Sequence, residues 1–208
     1  TDRLILQPDN PRSLAAIRNY ALEVVDSPIV ILVDDDARGF YWVHGWTSVR
    51  REDPDYIMDV MVHVAQCAVD AGTHQFGIAR TASPAWSRPF EPFHLGWVIS
   101  SLHGIIGRQY RFDEDLMITE DVGMTLRILA YDRFQWMDCR WAIDFGPLAN
   151  IGGQARFRSQ EQLEKDWEIL RQRYGSACLR KPRKNGPIST MVANIRPWLR
   201  SVKALPPV

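Results

Sequence analysis

The chain has 208 residues, of which 46% are hydrophobic and 24% charged, values that are ordinary for a globular protein. Its sequence contains no apolar run near the roughly 18–20 residues that span a bilayer, and no signal segment opens it. The three cysteines, Cys67, Cys139 and Cys178, form no CxxC pair, which argues against a disulfide framework or a zinc site. We therefore expect an intracellular protein.

The formal net charge of zero conceals a strong polarity along the chain. From Asn150 onward there are twelve basic and four acidic residues, a net charge of +8, so the preceding part carries −8. No acidic residue follows Glu168. This asymmetry indicates a polyanionic partner for the C-terminal part. The alternatives are a solvated or disordered tail, or a tail that offsets the acidic body electrostatically.

The first predicted elements suggest a parallel sheet. Leu4–Leu6 reads as a short strand, Ser13 as the cap of a helix, and the apolar run Ile29–Val33 as a strand buried on both faces. A strand, a helix and a strand in this order predict parallel pairing with a right-handed crossover. We therefore expect an α/β fold with a mostly parallel, Rossmann-like sheet flanked by helices.

Later segments continue the alternation of helices and strands. The patterns predict helices from Asp55 to Gly72, from Thr119 and over Glu161–Tyr174, and strands at Gln75–Ala79, Leu95–Ser100 and Gly104–Ile106. We expect a catalytic core over residues 1–150 and a helical, basic extension over residues 151–208, within one domain overall.

Three adjacent carboxylates, Asp34, Asp35 and Asp36, follow the Ile29–Val33 strand directly. In open α/β sheets, ligands bind at the carboxyl ends of the strands. Adjacent carboxylates repel one another, and a divalent cation bound by hard oxygen ligands would offset that repulsion. The pattern predicts a metal site that also holds a substrate phosphate. The alternative is a solvated acidic turn.

A second acidic pair, Glu120-Asp121, begins the predicted helix after Thr119. A carboxylate placed there could act as a general base. The alternative is that both acids only complement the helix dipole, which is worth about 0.3–1 kcal/mol.

Four elements together resemble the GT-A glycosyltransferases, which use nucleotide-sugars. They are Arg18-Asn19 on a helix, Asp34-Asp35-Asp36 as a DxD element, Phe112-Asp113-Glu114, and Glu120-Asp121. The resemblance implies a Mn or Mg ion and the diphosphate of a donor, such as a UDP-sugar, at Asp34 and Asp36, with Asp35 near the ribose or sugar. Arg18 could contact the donor phosphates, and the alternative is a solvated arginine on the helix. It also implies Asp121, with Glu120 as the second candidate, as the general base. GT-A domains normally begin with a further strand that holds the nucleotide base, and little of it could fit before Leu4.

The segment Asp144–Gly153, followed by a Trp-bearing helix, is similar to the TET-associated glycosyltransferases. Phage members of that family are implied to glycosylate 5-hydroxymethylcytosine in DNA, downstream of a TET-like dioxygenase. A phage protein of this kind would act in the cytoplasm of the host cell. The basic residues expected to bind double-stranded DNA are Arg156, Arg158, Arg180, Lys181, Arg183 and Lys184.

We therefore expect a metal-dependent glycosyltransferase acting on a modified DNA base. Three alternatives stay open: a glycosyltransferase acting on a protein, polysaccharide or lipid, a nucleotidyltransferase or other phosphoryl-transfer enzyme, and a non-catalytic DNA-binding relative. The sequence has no Gly-rich phosphate loop of the P-loop type, which counts against an NTPase.

Overall fold

The computed structural model describes residues 13–83, 90–96, 98, 102–145, 159–175, 178–181 and 190–193. These residues form four helices: α1 (Leu14–Val24), α2 (Pro54–Ala71), α3 (Glu120–Asp132) and α4 (Gln160–Tyr174). Among the described residues, none of the helices is long and apolar enough to cross a membrane.

Nine strands accompany the helices in the described part of the chain. They are β1 (Ile29–Val33), β2 (Ala37–His44), β3 (Thr47–Arg51), β4 (Gln75–Ala79), β5 (Phe93–Leu95), β6 (Leu102–Ile106), β7 (Trp136–Phe145), β8 (Cys178–Lys181) and β9 (Thr190–Ala193).

The main sheet has seven strands in the order β1-β6-β4-β7-β2-β3, with β5 also paired to β7. Among the strands that the structure describes in this sheet, only β4 and β7 pair in parallel, and the other pairings are antiparallel. The prediction of a mostly parallel, Rossmann-like sheet is therefore wrong. The fold is α/β with a mixed, mostly antiparallel sheet.

The position of β1 explains the error. This strand lies at the edge of the sheet and pairs antiparallel with β6, from Ile29 opposite Ile106 to Val33 opposite Leu102. Only Val30 of its five residues is buried, and Val33 is 53% exposed. A continuous apolar run was therefore not evidence of a strand covered on both faces. Leu4–Leu6, the predicted partner strand, lies outside the described residues.

The short connection after β1 indicates that the sheet is curled. Three residues join Val33 to Ala37, although β6, β4 and β7 lie between β1 and β2 in the sheet order. Four strand spacings in a flat sheet amount to about 19 Å, whereas four residue steps reach at most about 14 Å. The sheet must therefore curve enough to bring the end of β1 towards the start of β2.

Helix α2 covers one face of this sheet. Its buried residues, which include Val60, Met61 and Val64, join the main core with Phe76 and Ile78 of β4. The Asp53 side chain caps the helix by accepting hydrogen bonds from Asp55 N and Tyr56 N. Gly72 ends the helix in the left-handed conformation at φ 78°, as the sequence predicted.

Two compact units divide the chain. One consists of residues Ser27–Arg108 and Thr125–Ile151 and contains the main sheet and α2. The other consists of Thr1–Asp26, Gln109–Met124 and Gly152–Val208 and contains α1, α4 and the β8–β9 pair. The predicted division near residue 150 into a core and a C-terminal extension stays a prediction.

The second of these units is held together around α4. Leu116 and Leu170 are fully buried there, and a Cβ on Gly123 would lie 2.4 Å from Leu116 Cδ1. A glycine is therefore needed at position 123 for Leu116 to pack this closely. Further along the chain, β8 and β9 pair antiparallel, from Cys178 opposite Ala193 to Lys181 opposite Thr190. Sequence patterns did not predict this strand pair, because Pro182 and Pro187 suggested irregular structure.

Candidate active site

The acidic turn Asp34–Asp36 occupies the whole connection between β1 and β2. Asp34 and Asp36 are half-buried, whereas Asp35 is exposed. The turn is closed by Ala37 N, which donates to Asp34 O at 3.4 Å. Three carboxylates are thus confined to one short turn at the end of a strand, which is the local arrangement that the sequence predicted.

The turn suits a hard divalent cation only in part. Within the described residues, no group of three His, Cys, Asp or Glu side chains is placed to hold a metal ion. Asp34 and Asp36 would therefore supply two ligands at most, and substrate phosphate and water would complete the shell. Mg²⁺ binds in this way in many phosphate sites, because it keeps several waters and takes few protein carboxylates. The donor set is compatible with Mg²⁺ or Mn²⁺.

Three of the predicted motifs meet in the unit that contains α1. Arg18 Nη1 donates to Glu120 Oε1 at 2.9 Å. The neighbouring Asn19 side chain accepts from Phe112 N at 2.7 Å and donates to Phe112 O at 2.9 Å and to Glu114 Oε1 at 3.0 Å. Two adjacent residues of α1, Arg18 and Asn19, therefore bind partners that lie 93 to 102 positions further along the sequence.

Burial defines what Arg18 and Glu120 can do. Arg18 is 7% exposed and Glu120 is 3% exposed, and the Arg18 guanidinium also lies over the Phe112 ring, 5.4 Å from its centroid. Separating the two side chains of a buried ion pair is costly, because each charge would then lie inside the protein without the other. The pair therefore fixes the two segments that it joins. The geometry therefore supports a positioning role for both residues, with Glu120 holding the first turn of α3.

Asp121 is the other acid in the first turn of α3 and is half-buried. Its Oδ1 accepts from Val122 N at 2.7 Å. The helix N-terminus stabilises the ionised carboxylate, which is the form that a general base needs. Of the two predicted base candidates, Asp121 is the one with solvent access.

A buried carboxylate on α4 holds the segment that leads into this turn. Asp166 is fully buried and accepts from Ile118 N at 2.7 Å, Thr119 N at 3.0 Å and Met117 N at 3.3 Å. The Thr119 hydroxyl donates to it as well, at 3.2 Å. The sequence did not predict the role of Asp166, because a single acid on a charged amphipathic helix is expected to be exposed to solvent.

The predicted DNA-binding residues are described only in part. Arg156, Arg158, Arg183 and Lys184 lie outside the described residues. Arg180 and Lys181 end strand β8, for which the structure describes the backbone pairing with β9. The role of this basic set in binding DNA stays a prediction.

A second charged cluster was not predicted from the sequence. The fully buried Asp138 carboxylate on β7 accepts three hydrogen bonds from Arg140, two from the guanidinium and one from the backbone N–H. Arg140 Nη2 also lies 2.9 Å from His63 Nε2 on α2. The hydrogen bonds to Asp138 raise the pKa of Arg140.

The Cys67 thiol lies near this cluster, and burial, followed by the Asp138 charge, raises its pKa. A raised thiol pKa disfavours the thiolate, so Cys67 does not have the character of a nucleophile.

Comparison with protein-family models, curated proteins and solved structures finds no match to this chain. The functional argument therefore depends on the residues and their geometry.

Proposed function

We propose that this protein is a metal-dependent glycosyltransferase that moves a sugar from a nucleotide-sugar, such as a UDP-sugar, to 5-hydroxymethylcytosine in DNA. The observation that carries the proposal is the turn Asp34–Asp36, in which three carboxylates follow a strand within three residues. Their oxygens are the ligands that Mg²⁺ and Mn²⁺ prefer. The strand order gives no support to the proposal, because the sheet is not of the parallel nucleotide-binding type.

Each acid has a distinct role in this proposal. Asp34 and Asp36 would hold the cation, with Asp35 beside the donor. The bound ion would neutralise the negative charge that develops on the departing diphosphate. Arg18 was expected near the donor phosphates, but its buried pairing with Glu120 favours a positioning role instead.

The transfer itself exchanges one carbon–oxygen bond for another. The hydroxymethyl oxygen of the acceptor base bonds to the anomeric carbon, the bond from that carbon to the diphosphate oxygen breaks, and the hydroxyl proton passes to a base. Asp121 is the proposed base, because it is half-buried at a helix N-terminus and Glu120 is held by Arg18.

The DNA acceptor is supported by the charge pattern. The segment from Asn150 onward has a net charge of +8, whereas the preceding part has −8. Lysine and arginine that neutralise phosphates release counterions and so favour polyanion binding. A protein, polysaccharide or lipid acceptor would not need this polarity.

The experiment uses duplex DNA that contains 5-hydroxymethylcytosine, with MnCl₂ and a panel of UDP-sugars. The DNA is then digested to nucleosides and analysed by mass spectrometry. We expect a hexose or N-acetylhexosamine mass shift that EDTA abolishes. Asp36→Asn should abolish it as well, while Asp59→Asn, an exposed acid on α2, should leave it intact.

Other results would change the assignment. Metal-dependent hydrolysis of a UDP-sugar without DNA modification would keep the glycosyltransferase and remove the DNA acceptor. DNA binding that Asp36→Asn leaves unchanged, without modification or hydrolysis under any metal, would contradict the enzyme and favour a binding protein.

A further inference from the structure

The strand that follows the acidic turn begins with an irregularity. Ala37 and Gly39 pair with two consecutive residues of β7, so Arg38 between them has no partner on that strand. Arg38 is therefore the extra residue of a β-bulge, two positions after Asp36. Bulges are frequent next to active sites, where they redirect a side chain out of the regular alternation of a strand. Here the bulge places an arginine next to the three carboxylates.

A second arginine lies at the same end of the β2–β3 hairpin. Arg50 is opposite Tyr41, and its Nη2 donates to Arg38 O at 3.2 Å. A Cβ on Gly39 would lie 3.3 Å from Arg50 Nε, so the glycine leaves the space that the Arg50 side chain needs to cross β2. Two extended residues and this hydrogen bond place Arg50 Nη2 at most about 13 Å from Asp36 Cα. Both arginines are therefore within reach of a ligand that is bound at the acidic turn.

The guanidinium groups of both arginines are available to such a ligand. Arg38 is exposed, and within the described residues its side chain makes neither a hydrogen bond nor an ion pair. Arg50 Nε lies 3.1 Å from Glu52 Oε1, but both side chains are more than half exposed, so water screens this pair. Arg50 Nη1 has no partner in the part of the chain that the structure describes. The planar fork of an arginine matches the oxygens of a phosphate group.

The charge of the acidic turn shows why a diphosphate would need these arginines. The three carboxylates and one divalent cation have a net charge of −1, which would repel a ligand that is itself negative. Arg38 and Arg50 change this net charge to +1. Arg18, which was expected to contact the donor phosphates, is instead buried against Glu120.

We propose that Arg38 and Arg50 bind the diphosphate of the nucleotide donor, beside the cation that Asp34 and Asp36 would hold. The two guanidinium groups come from neighbouring strands, and together they offer more donors than a single phosphate group can accept. They would therefore favour a diphosphate over a monophosphate. The inference rests on the proposed function, because it names the residues that hold the donor of that reaction.

The test measures the affinity of the whole chain for UDP, UMP and inorganic pyrophosphate, each with MgCl₂, by isothermal titration calorimetry. We expect Arg38→Gln and Arg50→Gln each to weaken binding of UDP and of pyrophosphate roughly 10-fold, the loss typical of one hydrogen bond to a charged group. The loss for UMP should be much smaller. Arg50→Lys should lose less than Arg50→Gln, because it keeps the charge but not the fork. Glu52→Gln should strengthen UDP binding slightly, because it removes a carboxylate that competes for Arg50.

Arg108→Gln is the matched control. Arg108 is exposed and follows Gly107, whose N donates to Pro28 O at the end of β1 that is far from the acidic turn. This variant should bind UDP as the native chain does, and the unfolding midpoints of the arginine variants should agree. Unchanged UDP affinity in either Arg38→Gln or Arg50→Gln would overturn the proposal. Equal losses for UDP and UMP, or a native chain that binds neither UDP nor pyrophosphate, would overturn it too.

Failure of this inference can be distinguished from failure of the enzyme. If UDP binding depends on both arginines but no sugar is transferred to any acceptor, only the enzymatic proposal fails. If sugar is transferred and the KM for the UDP-sugar is unchanged in Arg38→Gln and Arg50→Gln, only the assignment of the arginines fails. If sugar is transferred and both variants bind UDP weakly, both proposals stand.

Discussion

Arg18 Nη1 donates to Glu120 Oε1 at 2.9 Å, and both side chains are almost fully buried. The pair ties α1 to the first turn of α3, in which Asp121 lies. Removing one side chain would leave the charge of the other in the interior without this ion-pair partner. We expect Arg18→Met or Glu120→Leu to lower the free energy of unfolding by about 3–5 kcal/mol.

A double-mutant cycle in urea tests this coupling. The Arg18→Met/Glu120→Leu double variant should lose less stability than the sum of the two single variants, because it buries no charge. Lys165→Met, which breaks the exposed Lys165–Glu161 pair on α4, is the control and should have little effect. Additive losses would show that the two side chains do not depend on each other.

Asp121 provides the prediction for catalysis. Asp121→Asn removes the proposed base but keeps the shape of the side chain. We expect kcat for sugar transfer to fall roughly 10²- to 10⁴-fold, with little change in the unfolding midpoint, because Asp121 is only half-buried. Asp26→Asn, an exposed acid beyond the end of α1, is the control. Full activity in Asp121→Asn would assign the base to another residue.

The hydrogen bonds of Asp166 lead to a prediction about the order of the segment that precedes α3. Its carboxylate accepts from three consecutive backbone N–H groups, those of Met117, Ile118 and Thr119. Asp166→Ala would leave these donors without their acceptor, at about 1–3 kcal/mol for each unsatisfied group. We expect a loss of at least about 3 kcal/mol in the free energy of unfolding.

Hydrogen exchange measured by NMR tests the local part of this prediction. The amides of Ile118 and Thr119 should exchange faster in Asp166→Ala, whereas Glu168→Gln, an exposed position on the same helix, should leave them unchanged. Equal exchange rates in the two variants would contradict the role of Asp166 as the anchor of this segment.

The helices could be predicted from the sequence because their signals are local. Ser13 accepts from Ala16 N as the cap of α1, as the sequence predicted, and Gly72 and Gly175 follow the last residues of α2 and α4. The strand Gln75–Ala79 was also predicted with its observed bounds. Caps and periodicity involve residues within a few positions, so a single sequence contains them.

The order of the strands could not be predicted in this way. Strand β7, which pairs with β4, β5 and β2, was missed, because its sequence around Asp138 and Arg140 does not alternate cleanly. Strand pairing depends on contacts between distant segments. The same limit applies to the candidate site. The sequence identified Arg18 and Glu120 as candidates, but only the structure shows that they pair across 102 positions.

Gly104 and Phe76 make a prediction about packing within the sheet. They lie opposite each other on β6 and β4, and a Cβ on Gly104 would lie 2.0 Å from Phe76 Cζ. We expect Gly104→Ala to lower the free energy of unfolding by about 1–3 kcal/mol through overpacking. Phe76→Leu creates space, so the double variant should lose less than the two single variants together. If the losses in the free energy of unfolding, measured in urea, were strictly additive, contact with Phe76 would not be the cause of the destabilisation by Gly104→Ala.

Cys67 provides a prediction of pH dependence. Burial raises the pKa of its thiol above the ordinary value, and the Asp138 carboxylate raises it further. Because the thiolate is the reactive form, we expect Cys67 in the folded protein to be alkylated by iodoacetamide at pH 8 more slowly than in urea. The rate should keep rising as the pH goes beyond the ordinary pKa of a thiol, towards the raised folded-state value. Asp70 also raises this pKa, so Asp70→Asn should speed alkylation.

The alkylation is followed by mass spectrometry of the peptide that contains Cys67. Asp59→Asn removes an acid from the same helix that does not contribute to the raised pKa, and should leave the rate unchanged. The same shift affects stability. Because the folded-state pKa of the thiol is raised, its contribution to the free energy of unfolding is fully present below the unfolded-state pKa. That contribution is lost as the pH rises from there through the folded-state pKa. Alkylation of the native protein at the rate measured in urea would contradict both expectations.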